Sequence, residues 1–178
     1  MMILIRALSW VANRWIVKQK KAFYRLGEPL SFEEKEALRP YFDLEVLEKT
    51  RKVFLDRIHP QDIPTKIRLS LLKTIFQTRK LAGLTLSDCV FLLAGLYSSN
   101  SQSAQSVLFH ELVHVTQYRL LDTYGFIRRY FQSWADNGFS YHKISLERVA
   151  CGLAHHYETF PGKPFSVSER VLAGFEIR

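Results

Sequence analysis

The chain has 178 residues, is 47% hydrophobic and 24% charged, and carries a formal net charge of +8. That length and composition fit one globular domain with a sizeable core, and they exclude a disordered or fibrous chain. Two cysteines, Cys89 and Cys151, are too few for a disulfide framework. Each sits in an apolar context and reads as a buried free thiol, as suits a reducing compartment.

The charge is uneven. Residues 1–27 hold Arg6, Arg14, Lys18, Lys20, Lys21 and Arg25 and no acid, so +6 of the +8 lies there. No base-reading motif accompanies it, so nucleic acid is not an expected partner. Residues 1–26 predict a helix, with Leu4, Leu8, Val11 and Trp15 at helical spacing. Arg6 and Asn13-Arg14 interrupt the apolar run, which argues against a transmembrane span. No small-residue cleavage site follows it, which argues against a signal peptide. Two roles fit this helix. It can pack on the core or another subunit. It can also lie on a membrane surface, with Trp10 and Trp15 among headgroups and its lysines on anionic lipid. Residues 1–27 are therefore set apart as a basic amphipathic helix before a single domain at 28–178. The expected location is the cytoplasm, at a membrane periphery if the helix binds lipid.

Gly27-Glu28-Pro29 breaks the first helix. Ser31 and Glu34 fit a capping box, and the short helix they start should stop at Pro40. Asp43 predicts the cap of a second short helix, with Phe42 and Leu47 as a hydrophobic staple. Residues 51–58 read as a strand, 59–64 as a loop and 66–78 as a helix. Residues 81–86 and 89–93 read as two strands around Ser87-Asp88. Residues 97–103 form a polar lead-in to the next helix, with Ser101 or Ser103 as its N-cap and Gly125 as its stop. Helices follow at 126–135 and 145–157, and Ser166 with Glu169 predicts the cap of a last one.

The helix after the polar lead-in carries the chemistry. His110-Glu111-Leu112-Val113-His114 is the H-E-x-x-H pattern, which arises by chance in on the order of one chain in a few hundred of this length. Leu108, Leu112, Val115 and Leu120 give the helix an apolar stripe. Residues four apart share a helical face, so His110 and His114 can aim two nitrogens at one point. Two imidazoles suit Zn²⁺, and Glu111 beside them suits the general base for a zinc-bound water.

A catalytic zinc needs a third protein ligand. The x-x-G-x-x-H continuation fails at Gln117 and Leu120, and H-x-x-E-H is absent. A downstream carboxylate on another helix remains, giving a His₂Glu site. Glu147 is the choice, because Ala150, Cys151, Gly152 and Ala154 after it would let its helix pack closely on the motif helix. His155 and His156 are the rivals. Tyr141 is a candidate donor to a tetrahedral oxyanion, and His142 a weaker one. Gln117 is placed to orient a ligand. Cys89 to Leu93 could offer a sheet edge to an extended peptide.

These residues resemble a family. HELVHVTQY is similar to the HELxHxxQ helix of the small gluzincin-like zinc metallopeptidases, the minigluzincins. It also resembles the peptidase-like domain associated with extracellular contractile injection systems. Gly83-Leu84-Thr85-Leu86 and Glu147-x-x-Ala150 extend the likeness over residues 44–157. The resemblance implies a compact α+β zincin-like fold, mostly helical with a small antiparallel sheet, one zinc and a peptidase. The expected function is hydrolysis of a peptide or protein substrate, with His110, His114 and Glu147 on Zn²⁺ and Glu111 as base. The alternative is a zinc-binding interaction or maturation module without turnover.

Overall fold

A computed structural model describes residues 2–55, 82–97 and 102–176. The elements run α1 (Met2–Phe23), β1 (Glu28–Pro29), α2 (Phe32–Leu38), α3 (Leu44–Lys49), β2 (Arg51–Leu55), β3 (Gly83–Leu86), β4 (Cys89–Leu93), α4 (Ala94–Tyr97), α5 (Gln102–Asp136), a 3-10 turn (Tyr141–Lys143), α6 (Ser145–Thr159) and α7 (Val167–Glu176). The loop expected at 59–64, the helix expected at 66–78 and Ser101 lie outside the described residues.

The architecture is α+β and mostly helical, as expected, but the sheet is mixed. Its order is β1-β2-β4-β3. β2 and β4 run parallel, while β1–β2 and β3–β4 are antiparallel. β4 explains itself by period-two alternation. Val90 and Leu92 enter one apolar cluster, and Cys89 and Phe91 enter the other. A strand buried on both faces reads as an unbroken apolar run. β4 is therefore a central strand with both edges paired, and the expectation that it offers a free edge is wrong. Among the described strands, β3 holds that end of the sheet.

The local signals are realised where their partners are close in sequence. Ser31 and Glu34 form the full capping box. Glu34 also accepts from Lys52 Nζ on β2 at 2.7 Å, so the cap ties α2 to the sheet. Asp43 stands at the N-cap of α3 without a side-chain bond to that helix; it accepts from Ser168 Oγ on α7 instead. Gly125 does not stop the motif helix. The break comes at Asp122, with φ 55° and ψ 171° inside α5. Asp122 Oδ1 then accepts from the Gly125 N–H at 2.8 Å, which caps the second half of the helix. Leu120, expected in the buried stripe, is exposed just before this break.

α1 buries Ile5, Ser9, Ala12 and Ile16, one helical face, against the second half of α5 and the sheet. Ser9 Oγ satisfies itself on the Ile5 carbonyl at 2.7 Å. Trp15 packs against this core rather than facing outward, which corrects its expected place among headgroups; Trp10 is exposed. Lys20 pairs with Asp88 in the β3–β4 turn at 2.5 Å. Among the described residues, no helix is long and apolar enough to cross a membrane.

Candidate metal centre

The site forms where α5 and α6 lie against each other, the most extensive helix contact among the described residues. Ala150 and Ala154 are buried at that contact, so two of the four small residues bring the helices close as expected. Cys151 and Gly152 are exposed. The expectation that both cysteines are buried therefore holds for Cys89 alone; both are free thiols. Phe109 on α5 stacks on Tyr157 of α6 at 4.3 Å between ring centroids, which fixes the two helices laterally.

His110 and His114 sit one turn apart on α5, and their Nε2 atoms stand 3.1 Å apart. Glu147 on the first turn of α6 points back at them. Its Oε2 lies 3.5 Å from each Nε2 and is buried with no hydrogen-bond partner. An orphaned buried carboxylate oxygen costs free energy unless something pairs with it. The donor atoms of His110, Glu147 and Cys151 also lie within 4.8 Å of one another, a group able to hold a metal ion.

The side chains around these atoms are held by others. Gln117 Nε2 donates to the Leu146 carbonyl at 3.0 Å, which turns its Oε1 toward His114 Nδ1 at 2.8 Å. His114 must then donate from Nδ1, so in the neutral ring it is Nε2 that carries the lone pair toward the site. Gln117 was expected in this role. Tyr130 was not: its hydroxyl donates to Glu147 Oε1 at 3.0 Å. The aromatic run of the second half of α5 concealed it, because that helix turns toward the site only beyond the Asp122 break.

Electrostatics follow from the geometry. Burial alone would lower His110, but Cys151 and the Glu147 and Glu111 carboxylates outweigh it and raise its pKa to about 10. Burial would raise Glu147, but the imidazoles of His114 and His110 outweigh that and hold it well below the usual carboxylate range. A proton and a metal cation compete for these atoms.

Glu111 projects from the same turn toward β3. Its Oε2 accepts from Thr85 Oγ1 at 2.6 Å. A Cβ on Gly83 would lie 2.7 Å from Glu111 Oε1 and 2.8 Å from its Cγ. Only glycine leaves room for this carboxylate. Thr85 and Gly83 were read as part of a hairpin; the Thr85–Glu111 contact spans 26 residues of sequence and leaves no local signal beyond the G-x-T spacing. Gly83→Ala should therefore keep the fold and any bound metal while displacing Glu111, and a misplacement of about 1 Å costs roughly 10²-fold in rate. Turnover measured beside metal content checks this. A rate within about twofold of wild type would show that Glu111 is not held by the strand.

A cleft of about 420 Å³ opens beside these groups, lined by Gly83, His110, Glu111, Tyr141, Cys151 and His155, among others. Tyr141 thus shares the cleft with the motif. His155 reaches the cleft wall, with its Nε2 3.5 Å from Thr159 Oγ1. His156 packs between Phe160 and Phe165.

Fold and site together define an α+β domain with a group of side chains able to hold a metal ion. Residues 76–120 match the family model of the eCIS core domain, the peptidase-like domain of extracellular contractile injection systems. The match covers a small part of the chain, the part that carries β3, β4 and the His110–His114 motif. No curated protein and no solved structure matches the chain.

Gln117 supplies a further test. Gln117→Leu removes the acceptor for His114 and the donor to Leu146. Loss of such an orienting partner typically lowers metal affinity by about 10–100-fold. Competition with a chromophoric chelator measures it, and an unchanged affinity would show that His114 needs no orienting partner.

Proposed function

We propose that this chain is a zinc-dependent metallopeptidase. The observation that carries the reading is the triangle of His110 Nε2, His114 Nε2 and Glu147 Oε2, with sides of 3.1, 3.5 and 3.5 Å. Ligands on a tetrahedral Zn²⁺, at bonds of roughly 2.0–2.1 Å, stand about 3.3 Å apart. The donor set, two imidazoles and one carboxylate, is also that of catalytic zinc sites with one open position. The match of residues 76–120 to a peptidase-like domain supports the same reading.

Zinc held by His110, His114 and Glu147 would lower the pKa of a bound water and polarise the scissile carbonyl. The chain's own groups do the rest. Glu111, steadied through Oε2 by Thr85, takes a proton from the attacking water and returns it to the leaving amine. β3 borders the cleft through Gly83, and its outer edge suits an extended peptide held by main-chain hydrogen bonds. Tyr141, which lines the same cleft, is the candidate donor to the developing oxyanion.

A proteome-derived peptide mixture tests the proposal. Wild-type protein should cleave it, and both a chelator and Glu111→Ala should abolish cleavage. Zinc-loaded protein that cleaves nothing would favour the second reading, a zinc-binding interaction or maturation module. The observation on that side is Cys151, a thiol whose sulfur lies within 4.8 Å of the His110 and Glu147 donor atoms.

α1 leaves Ile3, Trp10 and Val17 exposed beside Arg6, Arg14 and Lys18. This face supports a membrane surface as partner. Co-sedimentation with anionic vesicles, with and without residues 1–27, tests it, and binding that survives the truncation rules the helix out as the anchor.

A further inference from the structure

Cys151 follows Glu147 by four residues on α6, so the two share a helical face. The thiol lies beside the His110 imidazole. Its Sγ, the His110 nitrogen and the Glu147 oxygen all lie within 4.8 Å of one another. Cys151 lines the cleft and is open to solvent. The second, independent observation is Glu147 Oε2, buried, unpartnered and turned toward these donors. A carboxylate oxygen in that state points to a cation, and the thiol stands beside it.

We propose that Cys151 is a fourth metal ligand, which closes the centre as His110, His114, Glu147 and Cys151. The inference rests on the zinc reading of the other three residues. Four protein ligands including a thiolate make a closed tetrahedral site, whereas a catalytic site keeps one position open. Coordination breaks the S–H bond, the proton leaves to solvent, and no electron is transferred. As a ligand the thiolate would take the fourth position, the one a catalytic site leaves to water. The thiol-bound centre is therefore a resting form, and withdrawal of Cys151 exposes the position that hydrolysis needs. Cys151 is exposed, so a rotation of its side chain can withdraw the thiol.

Cobalt(II) separates this inference from the reading beneath it, because Zn²⁺ has no d–d spectrum. The full chain, stripped of metal and given one equivalent of Co²⁺, should show the visible d–d bands of a tetrahedral site and a near-ultraviolet thiolate-to-cobalt band. Cys151→Ser should lose the near-ultraviolet band and keep visible bands. Cys151→Ala serves as the second variant, with circular dichroism to show that each is folded. Wild type and both variants with the same near-ultraviolet spectrum would overturn the thiol ligand and leave the three-ligand centre standing. Absence of tetrahedral d–d bands from all three proteins would overturn both.

Alkylation gives a readout free of spectra. Metal loading should slow iodoacetamide modification of Cys151 by at least about tenfold, since a bound thiolate is withdrawn from reaction. An equal rate with and without metal would overturn the proposal. Cys89 is an internal control, fully buried, with a thiol that burial pushes up to about 11.

Discussion

Glu147→Gln should empty the metal centre without unfolding the protein. Glutamine keeps the size of the side chain and an oxygen for the Tyr130 hydroxyl, which donates to Glu147 Oε1 at 3.0 Å. It removes the charge that faces both imidazoles. A neutral amide is a poor ligand for zinc, and two imidazoles on one helical turn do not complete a catalytic site. Zinc per chain after dialysis should fall from about one to near zero, and cleavage should fall to the level of chelated wild type. Glu147→Ala should lose metal equally and lose stability as well. It strips Tyr130 of its buried acceptor, a loss of about 1–3 kcal/mol. Full zinc stoichiometry in both variants would exclude Glu147 as a ligand and make His155, at the cleft wall, the next residue to replace.

How much of this centre a sequence can show depends on the separation of the interacting groups. His110 and His114 are four residues apart on one helix, so helical geometry alone brings their nitrogens together. The Ser31–Glu34 capping box is equally local and formed in full. Gln117, three residues beyond His114, falls in the same class. Glu147 needed a further argument from packing, and Ala150 and Ala154 at the helix contact support that argument. The rest required tertiary structure. Tyr130 reaches Glu147 only because α5 turns at Asp122, and Asp122 can turn the helix because its own carboxylate caps the second half. Glycine at 125 looked like the stop, but it supplies the N–H for that cap. β4 was misread for a similar reason. Its apolar run is ambiguous until its parallel partner β2 is known, and that pairing joins residues 51–55 to 89–93. Residues 83–86 do form one arm of a hairpin with 89–93, and they are also the floor under Glu111, which the sequence did not show.

Placing Glu111 against β3 sharpens what its role must be. A carboxylate that were simply a metal ligand would turn toward His110 and His114, as Glu147 does. Glu111 instead leans on Gly83 and accepts from Thr85. The two acids are thus held by different elements, one by Tyr130 on the second half of α5, the other by the edge strand. This division predicts that they fail differently when neutralised.

Glu111→Gln should leave zinc bound at about one per chain and abolish hydrolysis. Glutamine fills the same space over Gly83 and can still accept from Thr85, so fold, cleft and metal ligands stay in place. What it cannot do is take a proton from water. General acid–base groups contribute roughly 10²–10⁴-fold, and the fall should appear in kcat with KM little changed, because the edge of β3 proposed to hold the peptide is untouched. Glu147→Gln, by contrast, loses activity through loss of metal, and excess zinc should restore part of it. Added zinc should restore nothing to Glu111→Gln. Thr85→Val supplies the graded case: it removes the hydroxyl that steadies Oε2, keeps the base, and should lower kcat by less than Glu111→Gln. Zinc lost from Glu111→Gln would make Glu111 a ligand and undo the division of labour between the two carboxylates. Full activity in Glu111→Gln would exclude Glu111 as the general base and require the proton to be taken by another group.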